Sequence, residues 1–221
     1  MAIDILYDRD ITCLYCGKTF KTKRIRNSKL IVKKRDPDFC VHYEGENPYY
    51  YNISVCPYCS YAFSGSFSPV REQYKAALEE DYFQKVGSVE LCGERTHQEA
   101  VRSYKLALVC GSIVHEPRYV MAGIFLRLAW LHRFQGDTAE EKKALAKALE
   151  LYNLVYEHGE HDKYSMGEHR LIYLLGELNG RLDKIDEARR WFNMVISDRS
   201  VEPALKNTAR ERWNEYKNKG Q

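Results

Sequence analysis

Cys13-Leu14-Tyr15-Cys16 and Cys56-Pro57-Tyr58-Cys59 each hold two thiols at a spacing that lets one tight turn present both sulfurs to a single ion. Four cysteine sulfurs are the donor set of a structural, tetrahedral zinc site. The residues that follow also repeat, since Cys16-Gly17-Lys18-Thr19-Phe20 and Cys59-Ser60-Tyr61-Ala62-Phe63 run in parallel to a phenylalanine. In such a knuckle, backbone N–H groups after the first cysteine turn back toward sulfur and a flexible residue follows the second. Gly17 supplies that residue in the first knuckle, and Ser60 stands there in the second. The pattern predicts two hairpin turns clasping one structural Zn2+ on Cys13, Cys16, Cys56 and Cys59. A redox dithiol of thioredoxin type needs a βαβ surround, which neither pair has.

The elements around the pairs must bring them together across an insert, because residues 17–55 separate the pairs by 39 positions where roughly 15–20 is usual. The insert therefore needs its own structure. Lys29–Lys33 and Tyr49–Val55 are β-branched and aromatic runs flanked by Asp36-Pro37 and Gly45-Glu46-Asn47-Pro48 turn signals, which reads as a small antiparallel sheet pinned by the metal. A unit this small buries little apolar surface, so metal binding supplies folding free energy directly. Cys40 is a fifth thiol, and His42 lies two residues on. Three readings stay open for this pair: a buried non-ligand thiol, an extra metal ligand, or a reactive redox thiol whose pKa is lowered by basic neighbours.

Composition bounds the rest. The chain has 221 residues, 44% hydrophobic and 29% charged, ordinary for one large or two modest soluble domains. The opening Met1–Asp8 has no basic region ahead of an apolar stretch and no later run approaches a spanning helix, so a cytoplasmic protein without a membrane segment is expected. Seven cysteines, four of them in pairs, fit metal ligation and reduced thiols better than a disulfide framework. Residues 1–65 hold ten Lys/Arg against seven Asp/Glu, which accounts for the net +3 of the chain, because residues 66–221 hold 24 of each. Lys21, Lys23, Arg24, Arg26, Lys29, Lys33, Lys34 and Arg35 lie in a stretch from Lys18 with no acid, a candidate contact for nucleic acid or another anion.

Beyond Ser64-Gly65-Ser66-Phe67-Ser68-Pro69 the texture becomes helical, which divides the chain into a zinc-ribbon-like β domain at 1–65 and an all-α domain at 66–221. Helices are expected at 69–86, 94–114, 117–135, 138–158, 164–180, 184–197 and 203–218, with turns at Gly136-Asp137 and Gly180-Arg181. The fold class is α+β. Leu175-Gly176, then Ala188 and Phe192, follows the tetratricopeptide pattern of small residues where paired helices approach. Leu128-Ala129 with Ala148-Leu149, and Ala100, Tyr104 and Ala107, are weaker copies. Spacings of 41 and 47 between Ala107, Ala148 and Val195 exceed the usual 34 or so, so the repeats are degenerate. Tyr104, Phe125, Trp130, Tyr152, Tyr173, Trp191, Phe192 and Trp213 are expected in the core, as are Cys92 and Cys110. His158, His161 and His169, with the acids around them, read as a polar loop, because Gly159 stops the helix that would align two of them.

The ordered set Cys13-x-x-Cys16-Gly17-Lys18, Arg24–Lys29, Lys34–Cys40, Gly45–Tyr51 and Val55–Cys59 resembles the bacterial family of uncharacterised proteins carrying domain of unknown function 2225. The resemblance is specific over residues 13–63 and looser through the helices. It implies a cysteine-rich head, a tetratricopeptide-like tail and a cytoplasmic bacterial protein, and it places Cys40 and Asn47–Tyr50 in the family's motif. Ser60 departs from the glycine that such a motif often carries.

No Ser-His-Asp order, phosphate-binding glycine loop or H-E-x-x-H motif is present, so a non-enzymatic role is expected. The leading expectation is an interaction protein whose stacked helices hold a protein or peptide partner. The alternative is a head that binds nucleic acid, with Tyr49, Tyr50, Tyr51 and Tyr58 stacking on bases. A zinc-linked redox sensor using Cys40 comes third.

Overall fold

A computed structural model describes residues 4–160 and 166–219. Three antiparallel two-stranded hairpins come first: β1 (Leu6–Thr12) with β2 (Thr19–Ile25), β3 (Ile31–Arg35) with β4 (Val41–Glu44), and β5 (Ile53–Val55) with β6 (Ala62–Ser64). The insert is therefore not one sheet. Tyr49–Tyr51, expected as strand, belongs to a 3-10 turn at Pro48–Tyr51. Asn47 starts that turn by accepting the Tyr49 N–H on its side chain at 3.0 Å, and Pro48, with its φ already fixed, follows it.

Short helices α1 (Lys75–Leu78) and α2 (Gln84–Val86), joined by a wide turn at Glu79–Phe83, lead to α3 (His97–Ile113). The expected start at Ser68-Pro69 is not used, because Val70 donates its N–H to the Leu14 carbonyl at 3.1 Å and Ser68 its N–H to Glu116 at 2.9 Å. Those contacts hold the segment extended along the first knuckle. The start of α3 is fixed by a capping box between Thr96 and Glu99. Then follow α4 (Arg118–Phe134), α5 (Thr138–Glu157), α6 (Glu168–Arg181), α7 (Ile185–Ser197) and α8 (Pro203–Lys219).

Three-residue connections after α4 and α6 fold successive helices back on each other. Gly136, at φ +72°, makes the first of these turns as expected. The second lies at Leu182–Lys184, not at Gly180, because α6 runs through Gly180. A Cβ there would come within 2.4 Å of the Tyr216 ring, so this glycine admits α8 instead of ending a helix. Gly176 serves α7 in the same way, with Phe192 ring atoms 3.0 Å from where its Cβ would be. Ala188, Phe192, Ala129, Ala148, Ala100 and Ala107 are all buried, so the small-residue positions read from the sequence are helix contacts. Of the aromatics expected inside, Tyr104, Trp130, Tyr152, Tyr173 and Phe192 are buried and Phe125, Trp191 and Trp213 half-buried. Among the described residues no helix is long and apolar enough to cross a membrane.

The hairpins and helices share one apolar cluster that runs from Cys13, Phe20 and Val55 through Leu78, Tyr104 and Trp130 to Leu178. Charge also joins the two parts. Asp38, fully buried in the turn after β3, accepts from Arg133 on α4 at 2.6 and 3.0 Å and from Trp130 Nε1 at 3.0 Å. Arg181 lies 3.5 Å from Asp38 and 2.9 Å from Glu177, and Glu177 pairs with Arg212 of α8 at 2.9 Å. This ladder satisfies two buried carboxylates at once, as buried charges require.

Candidate metal centre

Each cysteine pair forms the loop of a hairpin, the first between β1 and β2 and the second between β5 and β6. The hydrogen bonds of the two loops correspond one to one. Cys13 N–H donates to Lys18 O at 3.0 Å and Gly17 N–H to Cys13 O at 3.1 Å; Cys56 N–H donates to Tyr61 O at 3.0 Å and Ser60 N–H to Cys56 O at 2.7 Å. Both turns close through a left-handed residue, Gly17 at φ +72° and Ser60 at φ +63°. A serine there carries strain of about 1–2 kcal/mol. Its hydroxyl offsets that by donating to the Gly87 carbonyl at 2.8 Å and accepting the Val89 N–H at 3.0 Å, while its carbonyl accepts Tyr82 Oη at 2.7 Å. The departure at Ser60 keeps the knuckle geometry and adds an anchor to the segment after α2.

The loops bring the four sulfurs within 4.8 Å of one another. Cys13 Sγ and Cys59 Sγ are 3.7 Å apart, as are Cys16 Sγ and Cys56 Sγ. A tetrahedral ion with metal–sulfur bonds of about 2.3 Å has sulfur–sulfur edges of about 3.8 Å, so the constellation is the right size for a metal ion. The Tyr15 N–H points at Cys13 Sγ at 3.4 Å, as a knuckle amide does. Contact between Cys13 and Cys59 pulls the Cys13 thiol down to about 5 and pushes that of Cys59 well up, and burial raises Cys56 to about 11. A central cation would hold all four as thiolates.

Cys40 and His42 lie apart from these four and group with Asp36. His42 Nε2 is 2.7 Å from Asp36 Oδ2, and Arg133 reaches the same oxygen at 3.0 Å. Burial pushes the Asp36 carboxyl up, but hydrogen bonds from His42, Lys34 and Arg133 outweigh it and hold the group at about 2. Cys40 is fully buried, and burial followed by the charge of Asp38 pushes its thiol up to about 12. That direction is opposite to the one basic neighbours were expected to give, and it disfavours the thiolate, which is the nucleophilic form. Cys110 is likewise buried and raised to about 12, and half-buried Cys92 to about 11, in each case first by burial.

The basic stretch divides. Lys21, Arg26, Lys29, Lys33, Lys34 and Arg35 are exposed; Lys23 pairs with Asp8 at 3.0 Å and Lys34 with Asp36 at 3.0 Å. Arg24 turns inward, donating to Tyr51 O at 2.5 Å and Ser54 Oγ at 2.6 Å. Tyr49 and Tyr51 are buried and offer no face to a base, whereas Tyr58 is 59% exposed under the Lys18 ammonium. His158 caps α5 on Leu154 O at 2.8 Å and His169 faces Asp198 at 3.4 Å; His161 and Asp162 lie outside the described residues. The sequence reading missed Asp38 and Arg133 as structural groups and placed Ser60 in its knuckle without the hydrogen bonds that anchor it. Only the turn around Asp36-Pro37 pointed to the first, and nothing local marks a partner 95 positions away.

Fold and site together define an α+β protein in which a four-cysteine clasp closes two hairpins against a helical body. The chain belongs to the DUF2225 family of uncharacterized proteins conserved in bacteria, whose sequence profile matches residues 6–216. No curated protein and no solved structure gives a significant match to it.

Proposed function

We propose that this chain is a non-enzymatic, zinc-clasped interaction protein of the bacterial cytoplasm. One Zn2+ on Cys13, Cys16, Cys56 and Cys59 orders a zinc-ribbon-like head at residues 1–65, and a tetratricopeptide-like array at 66–221 holds a protein or peptide partner. The observation that carries the metal reading is the 3.7 Å spacing of the paired sulfurs within mirrored knuckles, and an all-thiolate donor set favours zinc over harder divalent ions. Four protein sulfurs complete a tetrahedron and leave no position for water or substrate, so the metal's role is structural. The close approach of α7 to α6 at Gly176 and of α8 to α6 at Gly180 supports a stacked array.

Metal analysis of the purified full chain should return one zinc per chain, lost with Cys13→Ser; zinc below half-occupancy in chain purified without chelator would refute the clasp. The partner reading is tested by crosslinking in cells followed by affinity capture, comparing the native chain with Arg190→Glu plus Met194→Glu, which alter the exposed side of α7. A partner retained at full yield by that variant and by similar changes on α5 would refute the array as the docking face.

A second reading is favoured by β3, whose five residues are all exposed and include Lys33, Lys34 and Arg35. The zinc-loaded head would contact nucleic acid through phosphates, without the stacking that buried Tyr49 and Tyr51 preclude. Its affinity must fall steeply with salt; no binding to single- or double-stranded probes at low salt refutes it.

A further inference from the structure

Between the hairpins and the helices lies a cleft of about 1130 Å³. Its floor is apolar and aromatic, with Tyr104 and Tyr152 fully buried beneath it. Four arginines reach it from four elements: Arg9 on β1, Arg24 on β2, Arg127 on α4 and Arg170 on α6. Among the described residues none of the four forms an ion pair. Arg24 donates to two carbonyls and a hydroxyl, Arg127 to the Gly123 carbonyl at 3.0 Å, and Arg170 lies over the Phe39 ring at 4.8 Å. The one carboxylate in the lining, Asp10, sits on exposed β1 opposite Lys21.

Three half-buried arginines among the helices are neutralised instead. Arg133, Arg181 and Arg212 all meet carboxylates at 2.6–3.5 Å. Arg24 is also repelled from two sides: burial and then Arg9 lower its pKa, and burial and then Arg24 lower that of Arg95 behind it to about 10. Arg95 is 6% exposed and is held chiefly by the Leu91, Tyr50 and Ile53 carbonyls. Arg9, Arg127 and Arg170 stay in water, so the desolvation cost falls on half-buried Arg24 and buried Arg95, and an anion entering beside Arg24 would offset it. On α4, Gly123 leaves room where a Cβ would come 3.0 Å from the Arg127 guanidinium. A helix-interior glycine costs about 1 kcal/mol relative to alanine, and here it lets Arg127 lie across the cleft wall.

We propose that the cleft is a binding site for a small organic phosphate of the nucleoside diphosphate class. Arg9 and Arg24, diagonal neighbours on one face of the β1–β2 hairpin, match an anion with more than one charge and several acceptor oxygens, which a phosphoryl group has and a single carboxylate lacks. Asn52, Ser64 and Ser66 add amide and hydroxyl groups to the lining. Arg127 and Arg170, on the helical wall, would meet a second phosphoryl group or the sugar, and half-buried Phe39 and Tyr119 give the lining aromatic surface that suits a base. The site is separate from the four-cysteine clasp and from the exposed helix face proposed to hold a partner.

The test is isothermal titration of the zinc-loaded full chain with ADP, inorganic pyrophosphate, citrate and a glutamate-rich octapeptide. The expected result is saturable ADP binding, weaker pyrophosphate binding and little heat from citrate or peptide. Arg9→Gln and Arg127→Gln, both at exposed positions, should each weaken ADP by about tenfold or more with unchanged zinc content and circular dichroism. The loss of one surface cation away from the cleft is controlled by Lys33→Gln on β3, which should leave ADP binding as it is. No binding of either phosphate at millimolar concentration overturns the proposal, as does native affinity in both arginine variants. Tighter binding of the peptide than of ADP overturns it in favour of an acidic segment.

Discussion

The two knuckles have matching backbone hydrogen bonds but different surroundings. In the second, Val55, Cys56, Tyr61 and Ala62 are each 0% exposed, and the Ala62 N–H points at Cys110 Sγ of α3 at 3.5 Å. In the first, Leu14, Tyr15 and Cys16 are half-buried and Gly17 and Lys18 exposed. The first loop is tied to the body by Val70 on Leu14, by Tyr15 against Phe83 at 4.7 Å and on Glu79, and through β2 by Lys23 on Cys92. A core-built hairpin and a peripheral one thus meet at four sulfurs. The difference teaches what a metal at this point would do: fasten the peripheral hairpin to one that packing already holds.

The largest effect should follow metal removal, since structural zinc contributes on the order of 10 kcal/mol in short zinc peptides. Chelation, or Cys13→Ser, should strip amide protection from β1 and β2 while Val55 and Ala62 stay protected through their pairing. Hydrogen exchange resolved by region measures this. Equal loss in both hairpins would break the comparison, and no loss in either would show that packing alone holds the first.

Next in size is the insert between the knuckles, which has its own anchor in Asp38. Asp38→Ala removes the acceptor shared by Arg133, Trp130 and Arg181 and should lower stability by roughly 3–5 kcal/mol, read from the denaturant midpoint. Knuckle protection should hold after this change if the insert and the clasp are independent attachments. A loss below about 1 kcal/mol would mean that neighbouring carboxylates Asp36 and Glu141 take over the pairing.

Acid should act on the same anchor. The folded Asp36 carboxyl is held at about 2, below an unfolded value of about 3.9, so folding favours the charged form. The resulting stability is complete above about pH 4 and is lost as pH falls from there toward 2. Asp36→Asn should flatten acid unfolding across that window, followed by circular dichroism; an unchanged acid limb would place the sensitivity elsewhere.

Much of this division was legible in the chain. The C-x-x-C pairs and their shared downstream pattern located both knuckles, because the turn is a local problem that a few consecutive residues solve. The long amphipathic segments located α3 to α8 for the same reason. What stayed hidden depends on contacts far apart in sequence. Tyr49–Tyr51 reads as strand by composition, yet Asn47 and Pro48 cap it into a tight turn in which the Tyr49 ring is buried against Trp130 and Phe134. Gly180 reads as a helix stop, yet it serves Tyr216 across 36 positions. The acid-free run from Lys18 to Arg35 reads as one basic surface, yet the fold sends Arg24 inward while most of its neighbours stay out.

The smallest effects should separate the two closing residues. Gly17 has open space around its missing Cβ, so Gly17→Ala meets only the left-handed backbone penalty, about 1 kcal/mol. Ser60 already carries that penalty, and Ser60→Ala keeps it while leaving the buried Val89 N–H and the Gly87 carbonyl without their partner. The cost of the unsatisfied Val89 N–H, about 1–3 kcal/mol for a buried group, makes it the worse change. Ser60→Gly regains the strain but loses the same two hydrogen bonds, so it should lie between the native chain and Ser60→Ala. Thermal melts of the three zinc-loaded variants give the order directly. If Ser60→Gly is more stable than the native chain, the hydroxyl is no anchor, and the second knuckle is held by its apolar packing alone.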